Sequence, residues 1–417
     1  MKILFFSAYF TPEKFASMYL FEDILKALID DGNEIVLFCP TPCRGVSNET
    51  RKEYKHIRTE RRFDGKLTIR RYALYKEPKS SFKRFIRYYI SNWIVFFKSL
   101  FTKADVIFTS STPPIVGLTL SKLKFFKRIP IVYDLQDIFP DSLVSTGLSK
   151  KDSLLWKIGR KVENKTYKCS DKIVVISEDF KKNIMEKSVP ENKITIIPNW
   201  ADTTGIFKVK RNDNFLFDKY NLDRNLFYIS YSGNIGFTQN MDMLLDAAKL
   251  LEKQIPDLRF LLVGDGSDKE RIGERIHNES IDNVILIPFQ EYSCISNVFS
   301  LGDVGLIISK AGVGNNSVPS KTWGYMAAST PILASFDLDS QLADIITKVQ
   351  CGFVASAGSL EAFVNAIKEI YCKKEDLYRV GELGKNYVTK TLNKDFCCQK
   401  YVDIIKQACF EKNIKKQ

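Results

Sequence analysis

The feature that most constrains this chain is a recurring alternation of short apolar runs with amphipathic segments, in two successive series. Met1 to Ala8 reads as a buried strand; Ser17 then opens a segment with Met18, Phe21, Ile24, Leu25 and Leu28 at helical spacing, ended by Gly32, before a second strand over Glu34 to Cys39. Such a βαβ unit requires a parallel sheet and a right-handed crossover. Further strands are predicted over 104–108, 129–134, 172–176 and 193–197. A polar, turn-rich stretch over 202–225 follows, and a second series runs through 227–231, 259–263, 283–287, 304–308 and 331–334. The pattern predicts an α/β chain of two doubly wound, Rossmann-like domains, residues 1–201 and 202–392. Residues 393–417 form a further amphipathic segment with Phe396, Val402, Ile405 and Cys409.

Composition narrows the class. At roughly 150 residues per domain, 417 residues suit two or three domains, and 45% apolar residues suffice to fill a core in each. Disordered and collagenous chains are excluded by 12% aromatics and only 21 Gly. The longest charge-free stretches, such as Val106 to Ser121, are broken by Pro113 and Pro114, so no spanning helix is expected. The first residues lack the long apolar stretch and cleavage site of a secretory signal, which gives the expectation of a cytoplasmic protein. Nine scattered cysteines show no zinc spacing and read as reduced packing thiols. The two histidines, His56 and His277, lie among charged residues, which disfavours a histidine-based mechanism.

Two strand ends carry glycine turns: Ser230-Tyr231-Ser232-Gly233 and Val263-Gly264-Asp265-Gly266. The carboxyl ends of parallel strands are where such sheets hold ligands, and two facing sheets would leave a cleft. Without a Cβ, Gly233 lets backbone approach a diphosphate, and the amides of Asn234 to Gly236 could donate to its oxygens. The plainer reading is a tight strand-to-helix turn. The pair Asp337 and Asp339 resembles a metal-binding DxD but is expected to be a solvated turn.

Ordered patches along nearly the whole chain resemble the family 4 glycosyltransferases, which have the GT-B architecture. They comprise Tyr9-Phe10-Thr11-Pro12, Gly32-Asn33-Glu34, Val132 to Ser142, Pro198-Asn199-Trp200, Tyr231 to Gly236, Val263 to Gly266, Ser317 to Ala328 and Pro331 to Ser335. Within that family the chain looks most like bacterial enzymes adding N-acetyl-L-fucosamine in O-antigen or capsule assembly. The resemblance implies a UDP-sugar donor held by the second domain, an acceptor held by the first, and a last segment, about 393–417, that crosses back to the first.

Asn234 and Gln239 stand where many relatives carry an Arg and a Lys that neutralise the diphosphate. The missing charge is assigned to Lys321, after the loop Ser317, Val318, Pro319 and Ser320, whose hydroxyls and amides could cap phosphates at a helix start; the alternative is a surface lysine. The family's paired glutamates are absent, with Asn316 and Gly324 in their places, and Tyr325 is the candidate substitute at the donor ribose. Gly264 and Asp265 are expected to line the nucleotide side, with Phe289 near the base. Stabilising the departing diphosphate falls to Lys321. Retaining relatives have a His near the strand ending at Tyr133-Asp134, so Asp134 first and Asp137 second are the candidates for orienting or deprotonating an acceptor hydroxyl; each could instead be a cap. No essential divalent metal or other cofactor is expected.

Residues 51–100 carry fifteen Lys/Arg against four Asp/Glu, most of the chain's net +13. Within them Phe82, Phe85, Ile86, Tyr89, Ile90 and Trp93 recur at helical spacing. Lys83, Arg84 and Arg87 lie off that stripe. A basic aromatic helix suits an anionic membrane surface and a polyprenyl-diphosphate-linked saccharide acceptor; the alternative is a core-facing helix with a solvated basic face. No nucleic-acid-reading motif is present. The expectation is a peripheral glycosyltransferase at the inner face of the plasma membrane. A UDP-sugar 2-epimerase of the same fold and a catalytically silent partner in polysaccharide assembly are the rivals.

Overall fold

The computed structural model describes residues 1–13, 18–78, 80–145, 149–314 and 318–414. The chain divides into two units, one of residues 1–198 with the segment from 395 onward, the other of residues 199–394.

The first unit is built on an eight-stranded sheet. Its strands are β1 (Lys2–Phe6), β2 (Glu34–Pro40), β3 (Thr59–Arg62), β4 (Leu67–Tyr72), β5 (Val106–Ser110), β6 (Ile131–Leu135), β7 (Lys172–Val175) and β8 (Ile194–Ile196). Their order is β3-β4-β2-β1-β5-β6-β7-β8, so connections depart in opposite directions from β1 and β5. All pairings are parallel except β3 with β4, an edge hairpin closed by Phe63, Asp64 and Gly65 at positive φ. β5 and β6 are buried along their whole length, as a sheet covered on both faces demands. The C-terminal helix Lys394–Ile414 packs on this unit: the Tyr401 hydroxyl donates to Asp134 at 2.9 Å and Lys406 pairs with Asp31.

The second unit has a six-stranded parallel sheet of β9 (Phe227–Asn234), β10 (Leu258–Asp265), β11 (Val284–Ile287), β12 (Val304–Ile308), β13 (Ile332–Phe336) and β14 (Gly352–Ser356). The order is β11-β10-β9-β12-β13-β14. One core, running from Ile229 and Leu244 through Phe260 and Leu333 to Ile367, fills the space between sheet and helices. The order reverses between β9 and β12, where a doubly wound sheet leaves a crevice beyond its strand ends.

Candidate active site

At that reversal, Gly233 and Gly264 stand side by side in the β9–β10 ladder. Gly233 has φ +137° and Gly264 φ +156°, conformations that side chains rarely adopt; a Cβ on Gly264 would overlap the Gly233 carbonyl. The bare backbone at Gly233 admits Lys321, whose Nζ would lie 3.2 Å from a Cβ at that position. The same ammonium sits 3.6 Å above the centre of the Tyr231 ring. Lys321 keeps partial exposure. Burial alone pulls its pKa down to about 7, with no charged neighbour contributing. A cation beside a glycine at a strand end, without a counter-charge among the described residues, is suited to an incoming oxyanion.

A second cation, unremarked in the sequence, stands nearby. Lys310 lies two residues past the end of β12, its amide donates to the Thr238 carbonyl at 2.8 Å, and its Nζ lies 3.2 Å over the Phe237 ring. The signal that could have found it is the strand-end position that singled out Gly233.

Among the other expected donor-side groups, two backbone amides are already engaged. The Ile235 amide donates to Asp265 and the Gly236 amide to Gln239 Oε1 at 3.1 Å, so neither is open to a phosphate. Gln239 thus braces the turn, while its Nε2 donates to Thr238. Asn234 is exposed, and Asp265, also exposed, accepts from the Gly266 amide. Phe289 is 72% exposed. Val318 and Pro319 are half-buried and Ser320 is exposed without capping the next helix; Ser317 and Asn316 lie outside the described residues. That helix, Lys321–Ala327, has only seven residues, so the expected helix-start contribution falls to the Lys321 side chain itself.

Tyr325 is not a ribose ligand: it is fully buried, its ring lies against Gly305 and its hydroxyl donates to the Ser230 carbonyl at 2.7 Å. Gly324 is buried too, and a Cβ there would overlap the Phe299 ring, which leaves no path for a carboxylate from this position. Asp337 accepts the Gly312 and Gly314 amides at 2.9 and 2.7 Å.

In the first unit, Asp134 at the end of β6 is fully buried. It accepts from Gln136 Nε2 at 3.0 Å and from Tyr401. Burial pushes its pKa up to about 6 against those two hydrogen bonds. With no exposed surface it cannot touch an acceptor hydroxyl, so its expected role changes to holding Gln136 and the C-terminal helix. Asp137 is exposed on the following loop, which Ser111 Oγ fixes by accepting the Gln136 and Asp137 amides, both at 3.1 Å. Desolvation raises the Asp137 carboxyl above the usual range, with Ser142 and the Ile138 amide pulling the other way. Asp137 is therefore the reachable carboxylate of the two. Both histidines are exposed.

The basic helix spans Ser81–Leu100. Lys83 and Arg84 are exposed and Trp93 half-buried, but Arg87 is 1% exposed, its Nε donating to the Tyr75 carbonyl at 2.9 Å. It cannot belong to a membrane or acceptor face. Among the described residues no helix is long and apolar enough to cross a membrane.

With this geometry in view, comparisons give the class. Residues 20–204 match the family model Glycosyltransferase Family 4, and residues 212–387 match Glycosyl transferases group 1. WcaI of Escherichia coli K12, named as a colanic acid biosynthesis glycosyl transferase, is 24% identical over 97% of this chain and 100% of its own. WbjE of Pseudomonas aeruginosa, named as a glycosyltransferase, is 25% identical over 75% of this chain and 77% of its own. The structure of HepE from Anabaena in complex with UDP superposes with TM-score 0.72 at 14% identity, covering 98% of this chain and 100% of that one. A shared fold with solved GT-B enzymes and consecutive matches over both units lead to one conclusion: this chain is a glycosyltransferase of GT-B architecture, made of a family 4 domain followed by a group 1 domain.

Proposed function

We propose that the protein transfers a 6-deoxy amino sugar, N-acetyl-L-fucosamine in the reading favoured by the sequence resemblance, from a UDP donor to a lipid-linked saccharide in polysaccharide assembly at the inner face of the plasma membrane. The observation that carries the donor side is the Lys321 ammonium set against Gly233 at the sheet reversal, with no carboxylate partner among the described residues. UDP bound in HepE and the polysaccharide pathway in the name of WcaI support the reading.

Charge accumulates on the diphosphate as the glycosidic C–O bond breaks, and a preorganised cation stabilises that charge without reorganising. Lys321 supplies it directly, with Lys310 adding positive potential from the neighbouring strand end. Asp137 orients the acceptor hydroxyl, and desolvation, which raises its carboxyl above the usual range, strengthens it as a proton acceptor. The family resemblance favours retention at the anomeric carbon, and no divalent metal is required.

The test is incubation of the full chain with UDP-N-acetyl-L-fucosamine and other UDP-sugars plus a polyprenyl-diphosphate-linked saccharide, with and without EDTA. Transfer that survives EDTA is expected, and Lys321→Ala should lower kcat/KM by about 10²-fold, typical for losing one transition-state donor. Absence of both transfer and UDP release with every donor, or an undiminished Lys321→Ala variant, would overturn the proposal.

A further inference from the structure

An amphipathic helix on a globular domain normally buries its apolar stripe. The Ser81–Leu100 helix does the reverse. Polar side chains occupy much of its inner face and are tied down: Arg87 to Tyr75, Ser91 Oγ 2.7 Å from Tyr72 Oη, and Asn92 accepting from Thr119 at 2.8 Å. Its outer face carries Phe82 (72% exposed), Phe85, Tyr89 and Phe97, continued by Phe101 (88%) just past its end.

The apolar face continues onto the next helix, Val116–Lys127. Phe125 and Phe126 at its end are 73% and 60% exposed. The Phe96 and Phe126 rings, 6.0 Å apart, join the two helices, and Lys122 Nζ lies 3.4 Å over the Trp93 ring. Large side chains of about 150–250 Å² each, close to half or more exposed, sum to several hundred Å², at or beyond the ~300–600 Å² of the largest patch on an ordinary monomer.

We infer that these two helices form a docking surface for an anionic lipid bilayer, with the long helix lying in the plane of the interface. The charge pattern selects this occupant. Neither helix carries an Asp or Glu, and of their seven Lys/Arg only Arg87 is buried and Arg84 and Lys124 are paired, with Glu77 and Asp171, which leaves Lys83, Lys98, Lys122 and Lys127. A second copy would bring the same positive charge to a self-association, whereas phosphatidylglycerol-type headgroups neutralise it while the aromatic rings enter the acyl boundary. The inference deepens the functional reading above by naming the face that meets the membrane, and rests on that reading only for the membrane's part in supplying the acceptor.

The test is co-sedimentation of the full chain with phosphatidylcholine vesicles, with and without phosphatidylglycerol, at low and high salt. Binding to the anionic vesicles that weakens with salt is expected. Phe82→Ser/Phe85→Ser and Phe125→Ser/Phe126→Ser should each cut the bound fraction about tenfold. These exposed positions leave folding intact, checked by unchanged stabilisation with UDP. Wild-type protein that ignores anionic vesicles, or Phe125→Ser/Phe126→Ser protein that binds like wild type, overturns the inference. A concentration-dependent dimer abolished by the same changes, without vesicle binding, assigns the face to a second copy instead. Transfer to a water-soluble acceptor is measured separately: docking without transfer defeats the functional reading, and transfer without docking defeats only this one.

Discussion

Among the described residues Lys321 has no carboxylate to hold its proton, so an arriving anion takes that part. In the ligand-free protein the ammonium is charged below about 7 and increasingly neutral above it. A diphosphate favours the charged form, so above pH 7 each binding event takes up a proton. The dissociation constant for UDP should therefore climb from pH 7 towards 9, approaching about tenfold per pH unit. Titration calorimetry across that range checks it: Lys321→Ala should bind weakly with no such slope, and Lys321→Arg, charged throughout, should also be flat. A flat wild-type profile would sink the idea. At this scale Gly233 and Lys321 were legible because each stands at an element boundary that chain order reveals. Tyr325 and Arg87 were not, because the Ser230 and Tyr75 carbonyls that claim them are tertiary partners with no imprint on spacing.

Among the elements, the helix Lys321–Ala327 shows why a matching position need not carry a matching function. Gly324 faces Phe299, and that ring is stacked edge-on to Tyr325 with centroids 4.8 Å apart. Gly324→Ala should destabilise the protein by about 1–3 kcal/mol, the usual cost of overpacking a filled core. Gly273→Ala, in the helix Lys269–Asn278 where the new methyl meets only Leu286 at 3.4 Å, should be neutral or stabilising by up to about 1 kcal/mol. Urea midpoints of the two variants make the comparison, and equal values would refute the packing argument. The apolar central strands were readable as continuous hydrophobic runs. The edge hairpin β3–β4 was not: Thr59-Glu60-Arg61-Arg62 is charged as a solvent-facing edge is, and Arg70 and Arg71 blended the largely buried β4 into the basic stretch. β14 was missed for a similar reason, since it is a half-buried edge strand opening with Gly352.

Across the whole molecule, the alternation of strand and helix carried the architecture, because parallel sheets admit few topologies once the crossovers are right-handed. The Asp134–Tyr401 contact lay beyond that logic, joining positions 267 residues apart. Asp134 titrates at about 6 when folded and in the ordinary carboxylate range when unfolded. Between those values the native chain keeps a proton that the unfolded chain has lost. Stability should therefore fall as pH rises from about 4 to about 6 and then level off with respect to this group. Asp134→Asn should remove its share of that slope, measurable as the urea midpoint against pH; parallel wild-type and variant curves would reject the assignment.

The same long-range contact bears on how the protein is made. The first unit needs the helix Lys394–Ile414, whereas the second is continuous in sequence. On the ribosome, the opening 198 residues must wait while 199–394 are synthesised, about 10–40 s at about 5–20 residues per second. Throughout that delay the end of β6 lacks its cover, so the half of the protein made first is the half finished last.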